Sequence, residues 1–107
     1  MTKKGEVAFA GDDIEPPGDA ADAVKSLAGD LNTAVDSGAA RIELEAFGGP
    51  PGDKSSESRR LSLRRALAVR QLLIDKGIPA TRIDVKALGG VEGGGRADRV
   101  DIWVRGG

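Results

Sequence analysis

The chain contains neither cysteine nor histidine, and these two absences exclude several kinds of chemistry. Without cysteine there are no disulfides and no thiolate nucleophiles, and nothing indicates the redox compartment. Without histidine the commonest general base and the commonest metal ligand are missing. No nucleophile motif is present either, so the sequence predicts a protein that is not an enzyme and that uses no cofactor or metal.

Aromatic residues and long apolar runs are also scarce. The aromatic side chains are Phe9, Phe47 and Trp103, so Ala, Leu, Ile and Val must build the core. No apolar run reaches the roughly 18 residues that span a bilayer, and the first residues lack the hydrophobic stretch of a signal peptide. We therefore expect neither membrane insertion nor an export signal within this chain. The net charge of −1 gives no general attraction to nucleic acid.

The charges that are present are divided unevenly between the two halves of the chain. Residues 1–57 contain 12 acidic and 5 basic side chains, a net charge of −7, whereas residues 58–107 contain 5 acidic and 11 basic ones, a net charge of +6. Two interpretations stay open: the halves attract each other within the fold, or the second half carries a local basic site that binds an anion.

Residues 58–77 show the clearest helical pattern in a chain whose 107 residues most simply form one domain. At about 100° per residue, Leu61, Val69 and Leu72 fall on one broad apolar arc. Gly77 is expected to end the helix in a left-handed C-cap, with a proline two residues later. Arg65 projects into the apolar arc, where a cation needs either a partner or a route to water.

Four alternating stretches and a second helical one complete the predicted fold. The strand candidates are residues 6–10, 41–47, 82–88 and 99–104, and the helix runs from an N-cap at Asp19 to the region of Ser37 and Gly38. Because all four strands are amphipathic, both helices must cover the same face of the sheet. The fold class is therefore α/β (α+β), a two-layer sandwich of βαβαββ order with a four-stranded mixed sheet.

Some details of this fold are also predicted. The second and third strands should be parallel neighbours, and the glycine-rich residues 89–95 should form a hairpin loop rather than a phosphate loop. Ser55, Ser56 or Ser58 should cap the long helix. The outward positions of the strands, with an exposed Trp103, should face water. The core is expected to contain Ile42, Leu44, Ile83, Val85, Val100 and Ile102 from the sheet, and Val24, Leu27, Leu31, Val69, Leu72 and Leu73 from the helices.

Residues 61–66, Leu-Ser-Leu-Arg-Arg-Ala, resemble the Leu-Ser-x-x-Arg-Ala signature of the OmpA-like peptidoglycan-binding domains. This family includes C-terminal domains of outer-membrane porin-like proteins, peptidoglycan-associated lipoproteins and flagellar stator proteins. Residues 97–102, Ala-Asp-Arg-Val-Asp-Ile, are similar to the closing Asn-Arg-Arg-Val-Glu-Ile of the family. The resemblance is strongest over residues 42–104 and assigns the whole chain, 1–107, to a single OmpA-like domain.

The resemblance implies a binding site for the diaminopimelate residue of the peptidoglycan stem peptide. In the family an Asp holds the ammonium group and the signature Arg, here Arg65, holds the carboxylate. The family Asp falls on Gly48-Gly49 or on Gly49-Pro50, depending on the end from which the loop is counted. The remaining candidate ligand-binding residues are Ser58, which stands where the family has Asn, Arg99, which matches the closing motif, and Asp53 and Glu57, which are the nearest acids.

The resemblance thus implies a non-catalytic module of the periplasm or cell envelope, which anchors a larger outer-membrane-type protein to peptidoglycan. Its diaminopimelate recognition is expected to be weakened by the missing Asp, and its oligomeric state is left open. The alternative is an OmpA-like fold that has lost peptidoglycan binding and serves as a protein-interaction or structural domain. For Arg65, we expect partial burial near residues 48–52 and the start of the last strand, with Asp53, Glu57, Asp98, a bound anion or backbone carbonyls as partners. The alternative is that Arg65 only extends to water.

Overall fold

The computed structural model describes residues 1–36, 38 and 40–106 and confirms the predicted two-layer α/β architecture. Its elements are β1 (Thr2–Ala8), α1 (Gly18–Asp36), β2 (Arg41–Phe47), α2 (Ser56–Asp75), a 3₁₀ turn (Ala80–Arg82), β3 (Ile83–Ala87) and β4 (Arg99–Arg105). Among the described residues, no helix is both long and apolar enough to cross a membrane.

The sheet is mixed, with the strand order β1-β4-β2-β3. β2 and β3 are parallel neighbours as predicted, with Leu44 opposite Val85, and β4 is antiparallel to both β1 and β2. The prediction of a hairpin between β3 and β4 is wrong, because β4 lies between β1 and β2 rather than beside β3. The glycine-rich connection therefore crosses the end of β2. β1 begins earlier than predicted because Thr2 and Lys3, which lack apolar alternation, pair with Val104 and Trp103 of β4.

Both helices pack on one face of the sheet and enclose the hydrophobic core. Nine of the twelve predicted core residues are buried there, together with Val7, Phe9, Ala28 and Ile78. Val85, Leu27 and Leu72 are only partly buried and pack against the edge of this cluster. Leu73, rather than Leu72, is the fully buried leucine near the end of α2.

The ends of α2 follow from local sequence. Ser55 is the N-cap, and its hydroxyl accepts a hydrogen bond from the amide of Ser58. At the other end Gly77 has φ of +95°, its amide donates to the carbonyl of Ile74, and the amide of Ile78 donates to that of Leu73. This pair of bonds is the Schellman motif that Gly77 predicts.

The predicted cap of α1 is wrong. Asp19 lies inside the first turn of a helix that already begins at Gly18, and its carboxylate accepts from the amide of Ala20. A carboxylate there is still favourable, because it faces the positive end of the helix dipole. The described part of α1 ends at Asp36; the predicted end at Ser37 lies outside the described residues.

The outer face of the sheet is less exposed than strand alternation predicts. Glu43, Phe47 and Asp101 are buried there, and the indole N–H of the half-buried Trp103 is shielded from water. The covering groups are long cationic side chains that lie along the sheet, with Arg105 and Lys86 paired to Glu43. Such chains cover apolar and acidic groups with their methylenes while their charges stay in contact with water.

Candidate functional site

Arg65 is completely buried in the core-facing side of α2, and its guanidinium is held by three separate segments of the chain. Nε donates to the carbonyl of Asp13 at 2.8 Å and Nη2 to that of Gly11 at 2.7 Å, both in the β1–α1 loop. Nη1 donates to the carbonyl of Phe47 at 3.2 Å and to Oδ1 of Asp98 at 2.7 Å. The expected anionic partner is confirmed and is Asp98, while the burial of Arg65 is complete rather than partial.

The close packing around Arg65 depends on the absence of a side chain at Gly48. A Cβ at this position would stand 2.9 Å from Cγ of Leu61 and 3.2 Å from Nη1 of Arg65. The ring of Phe9 lies against the guanidinium as well, with 5.1 Å from Cζ to the ring centroid. Four of the five N–H groups of the guanidinium are thus used inside the protein. Arg65 ties the β1–α1 loop to the ends of β2 and β4.

A cleft of about 510 Å³ lies beside this clamp, between the β1–α1 loop, the β2–α2 loop and the first half of α2. Its walls carry both signs of charge and several apolar groups. The lining residues are Asp12, Ile14, Gly49, Pro50, Asp53, Glu57, Ser58, Arg60, Leu61 and Arg64. Arg65 is not among them, because its side chain is fully buried.

The β2–α2 wall of the cleft is fixed by a small polar network. Asp53 accepts hydrogen bonds from the amide and hydroxyl of Ser55 and from the hydroxyl of Ser58. These bonds, first that from the Ser55 amide, lower the pKa of the Asp53 carboxyl from its ordinary value. Gly49, with φ of +83°, passes so close to Ser58 that a Cβ would collide with its hydroxyl. Asp53 therefore holds the turn that precedes α2 and contributes a fixed negative charge to this wall.

The glycine-rich connection from β3 braces the same wall from behind. Gly90 donates its amide to the carbonyl of Asp53 at 2.8 Å, and the amide of Gly52 donates to the carbonyl of Val91 at 2.9 Å. Lys54 adds bonds from Nζ to the carbonyls of Leu88 and Gly90. A Cβ at Gly90 would lie 2.2 Å from the carbonyl oxygen of Pro50, so only glycine permits this contact.

Four charged side chains of the cleft make no ion pair or side-chain hydrogen bond with any other residue that the structure describes. They are Asp12 in the β1–α1 loop, and Glu57, Arg60 and Arg64 on the exposed side of α2. On the same helix Arg65 is paired with Asp98, whereas Arg70, which lies outside the cleft, also forms no ion pair with a described residue. The cleft is therefore lined by unpaired side chains of both signs of charge.

The structure gathers only part of the predicted site. Gly49, Asp53, Glu57 and Ser58 line the cleft, while Gly48 lies behind it against Arg65. Arg99 is elsewhere: its guanidinium lies 4.3 Å from the ring centroid of Phe47 on the outer face of the sheet, and its Nε donates to Asp101. Sequence reasoning missed Asp12, Arg60 and Arg64 as cleft residues. The spacing of Arg60 and Arg64, one helical turn apart, was the available signal for two of them.

Comparison with known proteins identifies relatives of this fold. The model of the OmpA family matches residues 9–99, and no curated protein sequence matches the chain significantly. The OmpA-like domain of FopA1 from Francisella tularensis is 21% identical with a TM-score of 0.71, over 94% of this chain and 69% of that one.

Two further solved structures are similar over almost the whole chain. The peptidoglycan-associated lipoprotein from Burkholderia pseudomallei is 20% identical with a TM-score of 0.78, over 95% of this chain and 91% of that one. The C-terminal domain of MotB from Helicobacter pylori is 14% identical with a TM-score of 0.71, over 97% and 86%. At these identities the similarity establishes a shared fold.

Proposed function

The chain belongs to the OmpA family, and on this basis we propose that it anchors a larger protein to peptidoglycan, within the periplasm or cell envelope, by binding the stem peptide. Membership in the OmpA family confirms the resemblance seen at residues 61–66. It also confirms the expectation that the domain is a binding module and not an enzyme. The anchoring role and the location are inferred from the family.

One observation carries this proposal: the cleft opens at the β2–α2 loop and the first turns of α2. These are the segments in which the resemblance places the ligand. A concave site with a few charged groups above apolar ones suits a small amino-acid head group, which has an ammonium, a carboxylate and an aliphatic chain.

We propose in addition that diaminopimelate is bound more weakly than by relatives that keep the family Asp. Gly48 and Gly49 carry no side chain that could pair with an ammonium group. Arg65 cannot offer its guanidinium without giving up Asp98 and the carbonyls of Gly11 and Asp13. Each bond that must be exchanged reduces the net gain from binding a carboxylate.

A second function is favoured by the same clamp. A guanidinium that is satisfied inside the protein stabilises the fold without any ligand, as expected of a domain that has lost peptidoglycan binding. Such a domain would serve protein interaction or purely structural purposes.

Sedimentation with purified peptidoglycan sacculi separates these two functions. We expect a fraction of this domain to sediment, smaller than for an Asp-bearing OmpA-like domain tested in parallel, and to be released by a soluble stem peptide that contains diaminopimelate. Sedimentation no greater than without sacculi would favour the second function. Sedimentation equal to that of the Asp-bearing domain would contradict the proposed weakening.

A further inference from the structure

Arg65 is fully buried and already bonded within the fold, whereas the cations that line the cleft are Arg60 and Arg64. We propose that Arg60 and Arg64 bind the carboxylate of a ligand in the cleft, while Asp12 and Glu57 face its ammonium group. The ligand class is a zwitterionic amino-acid head group with a short aliphatic chain. This inference rests on the proposed function and moves its binding site from Arg65 to the outer side of α2.

Arg60 and Arg64 are suited to this role by their position on the helix. They are four residues apart, so their side chains lie next to each other on one face of α2. Both line the cleft, and neither is paired with an acidic side chain among the described residues. Two like charges at this spacing repel each other within the helix. A bound carboxylate removes the repulsion and accepts hydrogen bonds from both guanidinium groups.

Two acidic side chains also line the cleft, one from the β1–α1 loop and one from α2 itself. Asp12 approaches from the β1–α1 loop, and Glu57 lies one turn before Arg60 and Leu61 on α2. Neither carboxylate has a hydrogen bond or ion pair with a described side chain. Asp53 is a weaker candidate for contact with an ammonium group, since Ser55 and Ser58 already donate to both of its oxygens.

Apolar groups complete the site between the two charged ends. Leu61 and Pro50 belong to the lining, and Ile14 extends into it from the β1–α1 loop with 38% of its surface exposed. An exposed isoleucine beside free charges of both signs fits a ligand in which a methylene chain connects the charged groups. The aliphatic chain of diaminopimelate has this character, whereas a bare anion would leave Ile14 and the acids without contacts.

Titration of the protein with a stem peptide that contains diaminopimelate tests the assignment. We expect Arg60→Gln and Arg64→Gln each to weaken binding about tenfold, the effect of losing one hydrogen bond between charged groups. Arg70→Gln is the matched control, because it removes the same charge from the same helix outside the cleft. It should leave the dissociation constant within about twofold, a change well below that of one lost hydrogen bond. Far-UV circular dichroism spectra of the backbone amides verify that each variant stays folded.

A second ligand identifies the group that the arginines hold. A stem peptide with its diaminopimelate carboxylate converted to an amide should bind the unaltered protein more weakly, and Arg60→Gln and Arg64→Gln should cause no further loss. If both variants bind the original peptide as tightly as Arg70→Gln does, the assignment is wrong while the proposed function stands. If the unaltered protein binds neither the peptide nor sacculi, the proposed function and the assignment both fall.

Discussion

Arg65 shows how a single misplaced charge can be recognised from sequence. Its position within the apolar arc of α2 predicts burial with a partner, and Asp98 is one of the acids that the sequence offers. The carbonyls of Gly11 and Asp13 were not predictable individually, because they belong to a loop whose path depends on tertiary packing. The residue that the sequence resemblance proposed as a ligand-binding arginine is thus held inside the protein by Asp98 and three carbonyls.

We expect Arg65→Met to reduce the free energy of unfolding by about 3 kcal/mol. Three carbonyls and the carboxylate of Asp98 lose their donor, at about 0.5–1 kcal/mol net for each of these four bonds. Urea unfolding at neutral pH, followed by circular dichroism, measures the change.

Arg70→Met serves as the control for this measurement. Arg70 forms no ion pair within the described part of the chain, so its replacement should change stability by no more than about 0.5 kcal/mol. Equal stability of the two variants would show that Arg65 is not a clamp and that its side chain exchanges freely with water.

The helix α2 was the most predictable element because several local signals agree. The apolar arc, the serine cap and Gly77 each indicate its position, and the structure places it between Ser56 and Asp75. What local periodicity could not decide was the depth of adjacent residues: Leu72 was expected in the core, but Leu73 lies deeper. Small rotations of a helix on its sheet depend on the packing of the whole layer.

Because Leu73 is fully buried, we expect truncation of its side chain to cause a large loss of stability. Leu73→Ala should cost about 2–5 kcal/mol of unfolding free energy, as expected for a leucine fully enclosed by core residues. Leu72→Ala should cost less, since part of that side chain already contacts water.

Leu67→Ala provides the matched substitution on the same helix. Leu67 is 46% exposed, so its truncation should remain within about 0.5 kcal/mol of the unaltered protein. Thermal and urea unfolding of the three variants under one set of conditions ranks their losses of unfolding free energy. A smaller loss for Leu73→Ala than for Leu72→Ala would mean that the core-facing side of α2 is assigned incorrectly.

For the molecule as a whole, the two layers and the parallel pair of β2 and β3 were predicted, but the position of β4 was not. Alternation within each strand identified four amphipathic strands and hence a two-layer sandwich. It carried no information on which strands pair, and the insertion of β4 between β1 and β2 therefore contradicted the expected hairpin. Alternation also could not show that Arg105 and Lys86 cover Glu43, because that depends on side chains from different strands. The cleft was missed in part for the same reason, since Asp12 meets α2 only in the folded chain.

Acid should destabilise the folded molecule. The pKa of Asp84 is lowered chiefly by the hydrogen bond from Arg41, and that of Asp53 by the amide of Ser55. A carboxyl with a lowered folded-state pKa stabilises the protein above its unfolded value of about 3.9, and the stabilisation is lost as pH falls through the folded value. The urea midpoint should therefore decrease from about pH 5 to about pH 2.

Glu45 should act in the opposite direction. Burial, followed by the neighbouring Glu43, raises the pKa of its carboxyl, so its contribution to stability is present at low pH and is lost as pH rises. The effect of Glu45→Gln on the free energy of unfolding should accordingly become more favourable as pH rises from acidic to neutral. Asp84→Asn should make the decline of the urea midpoint at low pH shallower. A midpoint that stays constant or increases on acidification would contradict this account.

The antiparallel pairing of β1 with β4 has a mechanical consequence. At one end of the strands Thr2 lies opposite Val104 and Arg41 lies opposite Arg105. The cleft lies at the other end, where β1 and β2 end and β4 begins. Tension between a ligand in the cleft and a polypeptide attached before β1 or after β4 would run along the strands, over about 20 Å for seven residues. The bonds between the strands lie across this direction. They would be loaded together in shear rather than broken one at a time.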